Sequence, residues 1–190
     1  ALCGRFEEKV IKWATDACIS LTEGEVLQGR LRHDPRVTRE DYLQIIQRKT
    51  AALFTQGALM GAHLAGASSN VIEQLAKSGY NIGMAFQIVD DVLDVIGDGN
   101  RTGKPTGADL RDGNPSLPLV LALARDKEVK RVFEKQSPEQ EEIDGALDRI
   151  RGSGVLDEAT CLAHEYGKTA LTALSVLPAS SYYDGLDTGS

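Results

Sequence analysis

Apolar residues recur at three- and four-residue spacing along most of the chain, which is typical of amphipathic helices in a bundle. No stretch alternates with the two-residue period of a strand, and no repeat or linker interrupts the pattern. The sequence therefore predicts one all-α domain over residues 1–190, with a poorly ordered tail at 178–190. The predicted helices cover about residues 5–30, 39–66, 71 to Gly97 or Gly99, and 155–176, and two more begin near Leu117 and Ser137.

One predicted helix carries three carboxylates near its C-terminal end. Asp90 and Asp94 lie on the same face of this helix, and Asp91 is three residues from Asp94. The carbonyl groups there are already partly negative, so each carboxylate costs about 0.3–1 kcal/mol. A divalent cation offsets that cost, and Mg²⁺ bound by carboxylates, water and phosphate is a common arrangement, with Mn²⁺ also suitable. We therefore predict that Asp90, Asp91 and Asp94 bind the metal.

A glycine-rich loop with two cations, Arg101 and Lys104, follows these aspartates and is suited to binding phosphate oxygens. The alternative is a solvated acidic face without function. Apolar residues occupy most of the rest of the helix, so we expect it to be buried on nearly all sides, with its aspartates facing a cleft. These apolar residues are Phe86, Ile88, Val89, Val92, Leu93, Val95 and Ile96.

The same residues resemble the second aspartate-rich motif of the trans-type (head-to-tail) polyprenyl diphosphate synthases. The motif runs FQIVDDVLD over residues 86–94 and is followed by Gly103-Lys104 and by DLRDGNPSLPL over residues 109–119. Upstream, GEVLQ (24–28) and YLQIIQRKTAAL (42–53) resemble two further motifs in the order of the family. The resemblance covers nearly the whole chain and implies an isoprenoid-synthase-like helical bundle.

This resemblance also implies a function. It implies a Mg²⁺-dependent prenyltransferase of isoprenoid biosynthesis that ionises an allylic prenyl diphosphate and condenses it with isopentenyl diphosphate. Lys49 and Lys104 would bind the allylic diphosphate, while the Thr50 carbonyl and the Gln87 amide would face the allylic cation. Asp90 would be the direct metal ligand. The family also suggests a homodimer.

Four glycines with four-residue spacing allow two interpretations. Gly57 and Gly61 follow Lys49, and Gly79 and Gly83 precede Gln87. They could permit close helix packing, or they could open an apolar cavity for a growing prenyl chain.

The chain departs from the family pattern in several respects. Asn114 stands where many members have Lys, and no Lys or Arg follows Lys168. The first aspartate-rich motif and the basic residues for isopentenyl diphosphate have no counterpart, so we expect a bundle that is incomplete at its N-terminus and inactive alone. Three alternatives stay open: a terpene cyclase-like relative, which the DDVLD pattern disfavours, a non-catalytic regulatory subunit of a two-component synthase, and a protein that sequesters prenyl diphosphates.

Composition narrows the partners and the compartment. The net charge of −7, from 28 acidic and 21 basic residues, argues against a nucleic-acid partner. The three cysteines show no disulfide-framework or metal-ligand spacing, which favours a reducing cytoplasm. The longest apolar run has only eight residues, at 117–124, so we expect no membrane span, and no signal peptide is recognised.

Overall fold

The computed structural model describes residues 6–97 and 106–177, and every regular element in these ranges is helical. The predicted tail at 178–190 and the predicted diphosphate ligand Lys104 lie outside the described residues. The helices are α1 (Glu8–Leu31), α2 (Arg39–Ile46), a π-helical turn (Gln47–Ala51), α3 (Ala52–Leu64), α4 (Ser69–Ile96), α5 (Ala108–Asp112), α6 (Leu117–Leu123), α7 (Lys127–Phe133), α8 (Gln140–Arg151) and α9 (Val155–Leu174).

Helix α4 is the longest element, and α3 and α9 pack along it. It begins at the N-cap Ser68, whose side chain accepts a hydrogen bond from the Val71 amide, and it ends at Gly97, as the sequence predicts. Its buried side chains Met84 and Ile88 join the main hydrophobic core, to which α6, α7, α8 and α9 also contribute.

The predicted helix over residues 39–66 is interrupted. It begins as expected at Thr38, whose hydroxyl and main-chain amide form a capping box with Asp41. The π turn over Gln47–Ala51 then separates α2 from α3. Single π turns occur frequently at functional sites, and this one contains Lys49 and Thr50.

The expectation that α4 is buried on nearly all sides is wrong for one of its faces. Phe86, Val89 and Leu93 are 56%, 46% and 51% exposed. Phe86 still contacts the Phe54 ring of α3 at a centroid distance of 5.6 Å, but the described helices leave about half of the surface of each of these three side chains open to solvent. None of the helices in the described ranges is both long enough and apolar enough to cross a bilayer.

Candidate functional site

Helices α1, α2, α4 and α5, the π turn and the segment after α5 line a cavity of about 260 Å³. This cavity brings together three of the predicted catalytic residues, Lys49, Gln87 and Asp90, together with Asp91. The fourth predicted catalytic residue, Thr50, does not line the cavity but forms a hydrogen bond with Gln87. The other lining residues are Gln28, Tyr42, Ile45, Ile46, Asp109, Asn114 and Pro115.

Lys49 is held by α1. Its Nζ lies 2.8 Å from Gln28 Oε1 and 3.0 Å from Glu25 Oε1. Both partners belong to the GEVLQ segment, which resembles one of the family's motifs. The structure joins that segment to the lysine and fixes the ammonium group at the cavity.

A chain of hydrogen bonds crosses from the π turn to α4 and α6. The Thr50 hydroxyl donates to Gln87 Oε1 at 2.8 Å, and Gln87 Nε2 donates to Asp91 Oδ1 at 2.9 Å. The other Asp91 oxygen accepts the Leu117 amide at 3.2 Å. Asp91 is therefore a buried anchor for Gln87 and for the start of α6.

Asp94 and Asp90 have different surroundings. The Asp94 carboxylate accepts the main-chain amides of Ala108 and Asp109, each at 3.1 Å, so it caps the N-terminus of α5. Asp90 is exposed and makes no hydrogen bond to another described residue. Within residues 6–97 and 106–177, no three acidic, His or Cys side chains are close enough together to hold a metal ion. Joint metal ligation by all three aspartates therefore stays a prediction, and Asp90 has the most accessible carboxylate.

Several carboxyl groups of the site have raised pKa values. Burial is the main cause for Asp91, whose pKa rises to about 6, and for Asp109, whose pKa rises to about 8 with a further contribution from the charges of Asp91 and Asp94. The pKa of Asp94 is also raised, chiefly by burial. A cation in the cavity would favour the ionised forms, so the site is suited to binding positive charge.

Tyr42 and Asp109 line the cavity but were not among the predicted site residues. Burial raises the pKa of Tyr42 well above its ordinary value, and the nearby Asp91 charge raises it further. The Tyr42 hydroxyl lies near Asp91 and lowers the pKa of that carboxyl group. Among the described residues the hydroxyl has no partner in hydrogen-bonding geometry. Tyr42 begins the YLQIIQRKTAAL motif and Asp109 begins the DLRDGNPSLPL motif, so the resemblance to the family could have identified both as site residues.

The structure decides between the two interpretations of the α4 glycines. A Cβ added to Gly79 would lie 2.7 Å from Phe54 O, and one added to Gly83 would lie 2.6 Å from Ala51 Cα. Close packing is thus confirmed for this pair, and the cavity interpretation is wrong for it. Gly57 and Gly61 have nothing within 4 Å of an added Cβ and line open space.

Comparisons with known proteins agree with this geometry. The profile of the polyprenyl synthetase family matches residues 2–150. The octaprenyl diphosphate synthase of Escherichia coli is 34% identical over 182 residues, covering 94% of this chain and 56% of the relative. The chloroplastic solanesyl-diphosphate synthase 2 of Oryza sativa subsp. japonica is 33% identical over 179 residues, covering 94% of this chain and 44% of the relative.

A solved structure gives the same result. The polyprenyl synthase of Caulobacter crescentus, crystallised with calcium and isoprenyl diphosphate, is 36% identical and superposes with a TM-score of 0.90 over 95% of this chain and 57% of that chain. The all-α, isoprenoid-synthase-like fold is thereby confirmed. The chain spans about half the length of the curated relatives it matches. With its family profile, its fold and the residues around its cavity in agreement, the chain belongs to the polyprenyl synthetase family.

Proposed function

We propose that this chain takes part in the head-to-tail elongation of prenyl diphosphates. In this reaction an allylic prenyl diphosphate ionises and condenses with isopentenyl diphosphate, with Mg²⁺ or Mn²⁺ as the metal. The observation that carries the proposal is that Lys49, Gln87 and Asp90 line one cavity. A relative crystallised with calcium and isoprenyl diphosphate supports a ligand that combines a divalent cation with a diphosphate.

The residues present fit a hard divalent cation. The acidic side chains that line the cavity, Asp90, Asp91 and Asp109, offer only oxygen donors, and Mg²⁺ is commonly bound by one or two carboxylates together with water and substrate phosphate. Asp90 would hold the ion, because Asp91 and Asp94 already accept hydrogen bonds at both of their oxygens. When bound, the metal would neutralise negative charge on the departing diphosphate.

The chain supplies two further groups for the ionisation step. Lys49, which is held by Gln28 and Glu25, would add a fixed positive charge beside the diphosphate. Gln87 Oε1 accepts one hydrogen bond from Thr50 and keeps a second lone pair, which would face the allylic cation. No separate base is required, since the released diphosphate can accept the proton lost in the condensation.

We also propose a homodimer in the cytoplasm. The outer face of α1 carries an open groove of about 610 Å³ in which Ile19 and Val26 are about half exposed, and such a face supports an interface. The exposed thiols of Cys18 and Cys161 support a reducing compartment.

The second candidate is a subunit of a two-component synthase. The open face of α4 favours it, because apolar side chains there repeat with the three- and four-residue spacing of a helix-packing seam beside Asp90. These side chains are Ile82, Phe86, Val89, Leu93 and Ile96.

Product analysis tests both candidates. The purified chain is incubated with Mg²⁺, radiolabelled isopentenyl diphosphate and geranyl diphosphate, alone and with the N-terminal part of the octaprenyl relative. We expect a longer prenyl product only with the added polypeptide, and we expect Asp90→Asn to abolish it. Product from the chain alone would refute the two-component candidate, and absence of product in both reactions would count against the synthase proposal.

A further inference from the structure

Two glycines contact the main chain of the π turn, one at its centre and one at its C-terminal end, at distances that leave no room for a Cβ. A Cβ added to Gly24 of α1 would lie 2.6 Å from the Lys49 nitrogen and 3.0 Å from Lys49 Cα. A Cβ added to Gly83 of α4 would lie 2.6 Å from Ala51 Cα. These neighbours are main-chain atoms, so even an alanine would require the backbone to move.

One helical turn after each glycine, a glutamine accepts a hydrogen bond from a side chain of the π turn. Gln28 Oε1 accepts a hydrogen bond from Lys49 Nζ at 2.8 Å. Gln87 Oε1 accepts one from the Thr50 hydroxyl, also at 2.8 Å. Residues four apart share a helix face, so each helix offers the π turn a glycine for its main chain and a glutamine for a side chain.

We propose that the pairs Gly24–Gln28 and Gly83–Gln87 act as two matched clamps, and that Gly24 and Gly83 are positioning residues for Lys49 and Thr50. The inference rests on the proposed function, in which Lys49 meets the diphosphate and Gln87, held by the Thr50 hydroxyl, faces the allylic cation. Close approach at each glycine sets the distance from which the glutamine reaches its partner. A displacement of the π turn would therefore move Lys49 and Thr50 relative to the cavity.

Alanine substitutions with matched controls test the clamps. Binding of Mg²⁺ with inorganic diphosphate is measured by titration calorimetry, well below the melting temperature of each variant. We expect Gly24→Ala and Gly83→Ala to weaken binding by about tenfold or more, since a displaced Lys49 ammonium group loses its charge-assisted hydrogen bond to the diphosphate. Gly29→Ala in α1 and Gly57→Ala in α3 add a Cβ to open space, and we expect them to bind like the unsubstituted chain.

A second control separates positioning from stability. Val129→Ala removes core volume in α7, where no residue lines the cavity, so it lowers the melting temperature and leaves the affinity unchanged. If Gly24 acts through Gln28, Gly24→Ala in a Gln28→Ala background adds little further loss.

A milder variant covers the case in which the alanine variants fail to fold. The Ser20 hydroxyl donates to Arg48 O at 3.3 Å, one turn before Gly24 on α1. Ser20→Ala removes this hydrogen bond between α1 and the π turn without adding volume, and we expect about threefold weaker binding of Mg²⁺ and diphosphate. Folded Gly24→Ala and Gly83→Ala proteins with unchanged affinity would overturn the clamps, as would unchanged affinity in Ser20→Ala if neither alanine variant folds. An unsubstituted chain that binds no Mg²⁺-diphosphate would instead overturn the proposed function.

Discussion

The Arg151 guanidinium binds the main-chain carbonyl of Val95, with Nη2 at 2.7 Å and Nε at 3.0 Å from the oxygen. This carbonyl belongs to the last turn of α4, directly after Asp94. A cation at a helix C-terminus compensates the macrodipole and nearby negative side chains. From the sequence we expected a bound metal to supply that compensation, and Arg151 of α8 supplies part of it.

The first prediction concerns this contact. Arg151→Met keeps most of the aliphatic side chain but removes both hydrogen bonds to Val95 and the exposed ion pair with Asp148. It should lower the free energy of unfolding by about 1.5–3 kcal/mol, the range for charged hydrogen bonds, because an exposed ion pair adds little. Urea denaturation measures the change. Arg149→Met is the matched control, since Arg149 forms an ion pair with Asp126 at the surface and should cost under about 1 kcal/mol. Equal losses in the two variants would contradict the role of Arg151.

The second prediction separates Asp94 from Asp90. Asp94→Asn should lower the free energy of unfolding by about 1–3 kcal/mol, because the new amide group would face a main-chain N–H instead of accepting from it. Asp90→Asn should leave stability nearly unchanged, because Asp90 is exposed and no other described residue donates to it. Thermal unfolding without ligand measures both effects.

For ligand binding we expect the reverse, with Asp90→Asn having a larger effect than Asp94→Asn. Asp90→Asn should remove most Mg²⁺-dependent binding of inorganic diphosphate, and turnover of a complete synthase should fall by orders of magnitude, since transition-state charge stabilisation is lost. A folded Asp90→Asn protein with unchanged diphosphate binding in the presence of Mg²⁺ would refute its assignment as the metal ligand.

The sequence was sufficient for the long helices but not for the elements that refine the site. Thr38 and Gly97 mark helix ends through local chemistry, so they were predictable. The π turn was not, because one change from an i+4 to an i+5 hydrogen bond hardly alters the apolar spacing. Helices α5 and α7 have only five and seven residues, too few to establish a period.

The roles of the aspartates show the same limit. The sequence placed Asp90 and Asp94 on one helix face and predicted both as metal-binding residues, with Asp90 as the direct ligand, but it gave Asp94 no structural role. The difference between them arises from the amides of Ala108 and Asp109, which lie fourteen and fifteen residues after Asp94. Contacts at that separation depend on the path of the chain after α4, which no local pattern specifies.

The third prediction concerns stability at low pH. Glu142 accepts hydrogen bonds from Lys135 and Arg131, and these two cations are the main reason its pKa falls from 4.5 to about 2. A depressed folded-state pKa contributes stability that is complete above pH 4.5 and is lost as the pH falls through about 2. Glu142→Gln should therefore melt below the unsubstituted chain at pH 7, and most of the difference should be lost on acidification to pH 2.

The control for this prediction is Glu141→Gln, on the same turn of α8. Glu141 is exposed and forms no ion pair with a described residue, so its substitution should change the melting temperature little at any pH. A Glu142→Gln difference that persists undiminished at pH 2 would show that packing, and not charge, is its cause.

The last prediction is that Mg²⁺ and inorganic diphosphate together stabilise the chain, whereas either alone has little effect. Asp90 and Lys49 line the same cavity with opposite charges, so only a complex that contains both cation and anion engages both residues. At a hundred times the dissociation constant, binding contributes about 2.7 kcal/mol. For a domain of this size that corresponds to a rise in melting temperature of about 5–10 °C, measurable by scanning fluorimetry. Asp90→Asn and Lys49→Met should each remove most of the rise. If diphosphate alone stabilised the chain as much as the mixture does, a basic surface and not the metal-dependent cavity would be the binding site.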